Sequence, residues 1–156
     1  MIILGIDPGF ARLGYALLNK EGQVLKLLKV GCLETKSGNP NAERLQFLAN
    51  ELKNIIREYK PNLGAIEKLF FFKNQKTVIQ VAEARGMILA QFADNGVPYV
   101  EFTPIEVKQA LTGYGRATKD QVQKMLLQVF KLKIMIEPDD AADAVAVAYA
   151  AAVSGK

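Results

Sequence analysis

Histidine is absent from this chain of 156 residues, and cysteine occurs only once, at Cys32. The absence of histidine excludes Ser-His and Cys-His catalysis and most zinc sites. A single cysteine cannot form an intrachain disulfide, and the apolar neighbours of Cys32 favour a buried small side chain over a nucleophile. Acid and base chemistry must therefore come from carboxylates, lysines, tyrosines or metal-bound water.

The chain also lacks any apolar run of the roughly 18 to 20 residues that a membrane span needs. Its N-terminus has no basic start and quickly reaches Asp7 and Pro8, so we expect neither a signal peptide nor membrane association. Half of the residues are hydrophobic and 23% are charged, as in soluble globular proteins. We expect a cytoplasmic protein with one domain over residues 1–156.

The net charge of +4 is unevenly distributed along the chain. Residues 68–133 hold 10 basic and 5 acidic residues, which leaves 10 basic and 11 acidic residues elsewhere. A basic middle combined with acidic residues outside it suits a polyanionic substrate whose phosphate is bound through metal. The alternative is that these lysines and arginines only solvate the surface.

Hydrophobic periodicity and turn residues predict an alternation of strands and helices after an initial set of strands. The predicted strands are 2–7, 13–19, 23–33, 63–67 and 97–102, with a hairpin loop at 19–22. The predicted helices are one ending before Pro61, then 74–95, 104–111, 118–131 and 139–153. Gly86 inside the second helix suggests close packing there. This order predicts an α/β fold with a mixed five-stranded sheet, three antiparallel strands followed by parallel ones, and helices on both faces.

Two carboxylates end apolar runs that read as buried strands. Asp7 follows the run 2–6 and precedes Pro8, and Glu67 follows the run 63–66. If these strands are parallel neighbours, both carboxylates emerge at the carboxyl edge of the sheet, where open α/β sheets bind ligands. Carboxylates in that position are unfavourable unless something compensates their charge.

Two further carboxylates, Asp140 and Asp143, begin an alanine-rich helix and share one of its faces. Asp139 and Asp140 could instead cap that helix. Four oxygen ligands suit Mg²⁺ or Mn²⁺. Two such ions about 3.5–4 Å apart would activate a water and stabilise a leaving 3′ oxygen, which is phosphodiester cleavage.

The motifs that contain these residues resemble the RuvC-type Holliday junction resolvases of the ribonuclease H-like superfamily. The resemblance covers essentially the whole chain and rests on an ordered set of stretches. These are GIDPG at 5–9, IEKLF at 66–70 with Lys73-Asn74, EARG at 83–86, VKQ at 107–109, GYGRATK at 113–119 with Gln121-Val122, and DAADA at 140–144.

The resemblance implies that the metal-binding and catalytic residues are Asp7, Glu67, Asp140 and Asp143. We expect two Mg²⁺ ions in each active site, with Mn²⁺ as a substitute. Asp139 lies four residues before Asp143 and can share its face, but the Asp-Ala-Ala-Asp pattern of the family favours Asp140.

The resemblance also implies DNA-contacting residues. Lys108 and Lys119 match positions that contact the phosphate backbone, a role that suits a point charge. The alternative for each is a solvated surface lysine. Phe70 matches an aromatic that stacks on an unpaired base at the junction centre. A triple aromatic is ordinarily core, and the adjacent Phe71 and Phe72 leave open which ring stacks.

The function implied is a homodimeric, Mg²⁺-dependent endonuclease that resolves Holliday junctions in recombination and DNA repair. Two-fold symmetry of the dimer would match that of an open junction, so paired nicks would fall symmetrically and leave 5′-phosphate and 3′-hydroxyl ends. The branch-migration proteins RuvA and RuvB are the implied partners.

Three alternatives remain open at this point. The nearest is a ribonuclease H-like nuclease that acts on RNA or an RNA–DNA hybrid, against which the contexts of Lys108, Lys119 and Phe70 argue. A second is a fragment of an actin-like ATPase, whose first strand also ends in Asp-x-Gly but which needs two such domains. A third is a non-catalytic junction-binding module, which would not benefit from acidic residues near phosphates.

Overall fold

A computed structural model describes residues 1–68 and 77–155 of the chain. Its strands are β1 (Ile2–Asp7), β2 (Arg12–Glu21), β3 (Val24–Glu34), β4 (Leu63–Glu67) and β5 (Tyr99–Phe102). Its helices are α1 (Asn41–Tyr59), α2 (Val78–Asp94), α3 (Pro104–Thr112), α4 (Lys119–Phe130) and α5 (Asp139–Ser154). None of the helices in the described ranges has the length and apolar character needed to cross a bilayer.

The strands form one mixed sheet in the order β3-β2-β1-β4-β5. β1, β2 and β3 are antiparallel neighbours, whereas β4 runs parallel to β1 and β5 runs parallel to β4. This is the predicted arrangement of three antiparallel strands followed by parallel ones. It places the carboxyl ends of β1, β4 and β5 at one edge of the sheet.

Alternation along the strands separates two apolar layers, one on each face of the sheet. Ile3 packs with residues of α3, α4 and α5, whereas Leu4 and Ile6 pack with residues of α1 and α2. The predicted helices on both faces are therefore confirmed. The alternation also places Gly5 and Asp7 of β1 on the α5 side, two and four residues after Ile3.

Helix α5 lies unusually close to the sheet because both surfaces carry small residues. A Cβ atom on Gly5 would lie 2.4 Å from the Ala144 carbonyl oxygen. On Gly14 it would lie 1.9 Å from the Asp140 carbonyl oxygen. Alanines make up half of α5 and are almost completely buried, so the helix is enclosed nearly all round. The first two turns of α5 are thereby pressed onto β1 and β2.

The hairpin loop predicted at 19–22 is shorter than expected. β2 continues to Glu21 and β3 begins at Val24, so only a two-residue turn remains. Gly22 takes a φ of 59° in that turn, a conformation that glycine adopts without strain. The strand predicted at 97–102 begins later, at Tyr99, because Pro98 has no N–H to donate to a ladder.

The suggestion of close packing at Gly86 is wrong. A Cβ at Gly86 would meet nothing within 4 Å, because the buried face of α2 consists of Ala84, Ile88 and Phe92. The close approach occurs at Gly64 of β4 instead, where a Cβ would lie 2.6 Å from the Phe92 ring. α2 begins at Val78, and the predicted start of this helix at 74 lies outside the described residues.

We predict that Gly14→Ala lowers the free energy of unfolding by about 1–3 kcal/mol or more, because its methyl group would overlap the α5 backbone. Chemical unfolding monitored by circular dichroism measures this loss. Gly38→Ala is the matched control, since a Cβ at Gly38 meets nothing within 4 Å. Equal stability of the two variants would contradict the close packing of α5.

Candidate active site

The two strand carboxylates lie side by side on the face that α5 covers. β1 and β4 are parallel with Ile6 paired to Ile66, so Asp7 and Glu67 are the next residues along each strand. Ala65, two residues before Glu67, belongs to the same apolar layer as α5. Alternation therefore directs both carboxylates toward the α5 side of the sheet, at the carboxyl edge that the sequence predicts.

The start of α5 lies directly against this pair. Asp7 pairs across the antiparallel ladder with Gly14. Gly14 is also the residue whose missing Cβ leaves room for the Asp140 backbone. Asp143 lies three residues further along the helix and shares the Asp140 face. The sheet and helix together gather the four predicted carboxylates.

Burial and mutual repulsion perturb these carboxylates. Burial raises the pKa of Asp7 well above its ordinary value, and the charges of Asp143, Glu67 and Asp140 raise it further. Burial also raises the pKa of Asp143, with Lys119 acting in the opposite direction. The four groups therefore form one electrostatic unit, which we call the carboxylate cluster.

The structure separates Asp139 from Asp140. Asp139 is exposed over 65% of its side chain and pairs with Lys119, with 3.0 Å between Nζ and Oδ2. The same Lys119 Nζ lies 3.8 Å from Asp143 Oδ2. Asp140, and not Asp139, is among the charges that raise the pKa of Asp7. Asp140 is thus the residue directed toward the strand carboxylates.

The donor chemistry of the carboxylate cluster fits hard divalent cations. All of its ligand atoms are oxygens, which Mg²⁺ and Mn²⁺ prefer. A nearby cation would also offset the repulsion that raises the pKa of Asp7. In the ranges 1–68 and 77–155, no three acidic side chains converge on one ion position. The fit therefore rests on the donors and their charge rather than on a formed coordination shell.

Two basic residues border the carboxylate cluster. Lys108 on α3 and Lys119, the first residue of α4, both act to lower the pKa of Asp143. Each helix begins with a capping box, at Thr103 for α3 and at Thr118 for α4, which fixes where the helix starts. The structure therefore brings both predicted DNA-contacting lysines to the rim of the acidic site.

Sequence reasoning missed two residues that hold the turn after Asp7. The Thr35 hydroxyl donates to the Phe10 carbonyl oxygen at 2.9 Å, and Arg44 Nε donates to the Thr35 hydroxyl at 2.8 Å. The Arg44 guanidinium also lies 4.1 Å from the centre of the buried Phe10 ring. No spacing rule links Thr35 to Arg44, because the contact depends on where α1 begins.

The structure describes the predicted buried cysteine but not the predicted stacking aromatic. Cys32 is half-buried on β3, and burial raises the pKa of its thiol to about 11, which disfavours a reactive thiolate at neutral pH. Phe70, together with Phe71 and Phe72, lies outside the described residues.

Comparisons with known proteins agree with this geometry. A family model described as "Crossover junction endodeoxyribonuclease RuvC" matches residues 3–151. The protein of that name from Petrotoga mobilis is 48% identical over 149 residues, 96% of this chain and 91% of the relative. Its namesake from Synechococcus sp. is 45% identical over 148 residues, 95% of this chain and 96% of the relative.

A solved structure is similar over nearly the full length. It is T. thermophilus RuvC in complex with Holliday junction substrate, with a TM-score of 0.93 and 31% identity, covering 99% of this chain and 94% of that one. The ribonuclease H-like fold predicted from the sequence is thereby confirmed.

We predict that Asp7→Asn raises the melting temperature at pH 7 when no divalent cation is present. A raised pKa means that folded Asp7 holds its proton more strongly than the unfolded chain does. Wild-type stability therefore falls as pH rises from the ordinary carboxyl pKa toward the raised value, and asparagine escapes this loss. Each 1 kcal/mol gained corresponds to about 2–4 °C.

Thermal melts between pH 4 and pH 7 measure the effect, and the two curves should converge at the acidic end. Asp120→Asn is the control, since Asp120 is exposed and pairs only with Lys124 among the described ion pairs. A lower melting temperature for Asp7→Asn at pH 7 would show that burial and the neighbouring charges do not make the charged Asp7 carboxylate unfavourable.

Proposed function

The chain belongs to the RuvC family of crossover junction endodeoxyribonucleases, and on that premise we propose that it resolves four-way DNA junctions by metal-dependent hydrolysis. Membership of this nuclease family indicates dependence on a divalent metal. The observation that carries the proposal is the carboxylate cluster of Asp7, Glu67, Asp140 and Asp143 with basic residues at its rim. The junction-bound state of the Thermus relative supports the same substrate.

The four carboxylates would hold two Mg²⁺ ions, for which Mn²⁺ would substitute. When bound, the ions supply Lewis-acid activation of the scissile phosphate and of the attacking water. Asp7 and Glu67 extend from adjacent strands and define a rigid side of the site. Asp140 and Asp143 complete it from the first turns of α5, whose packing on Gly14 fixes their approach.

Lys108 and Lys119 are the proposed phosphate contacts. The charges of both act on Asp143, and Lys119 Nζ lies 3.8 Å from its Oδ2, so they can hold the DNA backbone where the carboxylate cluster acts. Their charges also offset part of the repulsion between a polyanion and an acidic site. Phe70 is the proposed stacking residue at the junction centre, a role that any base can satisfy through its π-face.

One active site cuts one strand, so paired nicks require two subunits. We therefore include a homodimer in the proposal, because its two-fold axis would match that of an open junction. The products would carry 5′-phosphate and 3′-hydroxyl ends. The family resemblance supports RuvA and RuvB as partners in recombination and repair, a cytoplasmic location, and action as a single nuclease domain.

The deciding experiment is cleavage of a labelled four-way junction in Mg²⁺, beside a linear duplex and an RNA–DNA hybrid of matched sequence. We expect symmetric nicks in the junction alone, and none in EDTA. Asp7→Asn should bind the junction as the wild type does but fail to cut it, since one carboxylate ligand is lost while the basic residues remain. Cleavage of the RNA–DNA hybrid in place of the junction would contradict the proposed function and indicate a ribonuclease.

A second prediction concerns the role of Lys108. Lys108→Ala should weaken junction binding and make its dependence on salt shallower, by about 0.9 in the slope of log K against log salt for one lost phosphate contact. Fluorescence anisotropy over a salt series measures the slope. Lys26→Ala is the control, because Lys26 is exposed on β3 and pairs with Asn19 at the opposite end of the sheet from Asp7. An unaltered slope for Lys108→Ala would place it outside the interface.

A further inference from the structure

Gln123 on α4 is the one buried polar side chain within the described ranges, with 9% of its surface exposed. Its amide group makes two hydrogen bonds to the backbone of a single residue. Nε2 donates to the Ile136 carbonyl oxygen at 2.8 Å, and the Ile136 N–H donates to Oε1 at 3.3 Å. We call this pair of hydrogen bonds the amide latch.

The residues just before Gln123 in the chain, one turn further along α4 and across the amide latch are apolar. Val122, Leu126 and Ile136 all belong to the apolar layer beneath α5. A buried amide is unfavourable in such a layer unless all of its hydrogen bonds are made. Gln123 therefore serves the backbone that it binds rather than the packing of the layer.

That backbone is the connection into α5. Residues 131–138 form neither helix nor strand in this structure, so no ladder of backbone hydrogen bonds holds them. Ile136 stands three residues before the start of α5 at Asp139 and four before Asp140. The amide latch thus fixes the connection just before the helix that carries two of the four carboxylates.

The amide latch and the lysine of the site lie on one face of α4. Lys119 is four residues before Gln123, one helical turn away. Lys119 reaches Asp139 and Asp143 of α5, whereas Gln123 reaches the connection that precedes them. Both contacts therefore join the first turns of α4 to the start of α5.

Of these two contacts, the amide latch is the firmer. Lys119 and Asp139 are exposed over 69% and 65% of their side chains, so water and salt weaken their ion pair. The amide latch is buried, where water does not compete with its hydrogen bonds. The relative position of the two helix starts thus depends more on Gln123 than on the ion pair.

We propose that Gln123 is a positioning residue for the nuclease reaction, which holds Asp140 and Asp143 in register with Asp7 and Lys119. The inference rests on the proposed function. Gln123 reaches the site only through the Ile136 connection, so it should affect metal binding and the rate of cleavage. Junction affinity without metal should change little, because Lys108 and Lys119 remain.

The test compares Gln123→Met with Gln128→Met. Methionine is close to glutamine in size but cannot form the amide latch, and Gln128 is an exposed residue of the same helix. Calorimetry with Mg²⁺ alone gives metal affinity, single-turnover cleavage at saturating junction gives the rate, and anisotropy in EDTA gives junction affinity. For Gln123→Met we expect metal affinity or rate to fall roughly 10-fold to 100-fold, as for other supporting partners of metal ligands.

Junction affinity in EDTA should stay at the wild-type value for both variants, and Gln128→Met should keep all three properties. Wild-type metal affinity and rate in a folded Gln123→Met protein would overturn the proposal. If Gln123→Met does not fold, Gln123→Asn decides, since its shorter amide cannot reach both Ile136 groups. A folded Gln123→Asn with wild-type properties, or the failure of both variants to fold, would assign Gln123 to stability alone.

The same experiment separates this inference from the proposed function. If the wild-type protein does not cleave junctions, the proposed function fails. Calorimetry with Mg²⁺ would still show whether loss of the amide latch weakens the metal site.

Discussion

The close contact between α5 and the β1–β2 pair is the constraint on which the candidate site depends. Gly5 and Gly14 leave no room for a side chain between the sheet and the backbone of α5. This contact brings Asp140 and Asp143 to the end of β1, where Asp7 lies opposite Gly14. A single methyl group in that gap would separate the helix carboxylates from the strand carboxylates. The small residues between the sheet and α5 thus determine how close the strand carboxylates and the helix carboxylates lie.

Packing and electrostatics act against each other at this edge. The apolar layer draws α5 onto the sheet, while burial and the neighbouring acidic groups raise the pKa of Asp7. Lys119 offsets part of the repulsion at Asp143. The backbone must therefore be rigid enough to keep these carboxylates close together against their mutual repulsion. Thr35 and Arg44 fix the turn that follows Asp7 in the chain, and Gln123 fixes the connection that precedes Asp140.

Sequence patterns predicted the fold well, because strand order and helix placement follow from local rules. The ends of two apolar runs placed Asp7 and Glu67 at one edge of the sheet, provided that their strands are parallel neighbours, and helical spacing placed Asp143 with Asp140. Gly86 was misjudged because a glycine within a helix does not reveal which face is buried, whereas Gly64 in a strand faces the Phe92 ring. Thr35, Arg44 and Gln123 were missed because their partners come from other elements, and no period in the sequence encodes such contacts.

Three of the four carboxylates of the acidic site lie on β1 and α5, the first and last elements of the fold. Closing the long loop between distant parts of a chain is entropically unfavourable before the packing that rewards it. The sheet can therefore assemble while Asp7 faces only Glu67, and the full repulsion arises only when α5 docks. A folding chain accordingly meets its least favourable electrostatics at the step that also buries the alanine-rich helix.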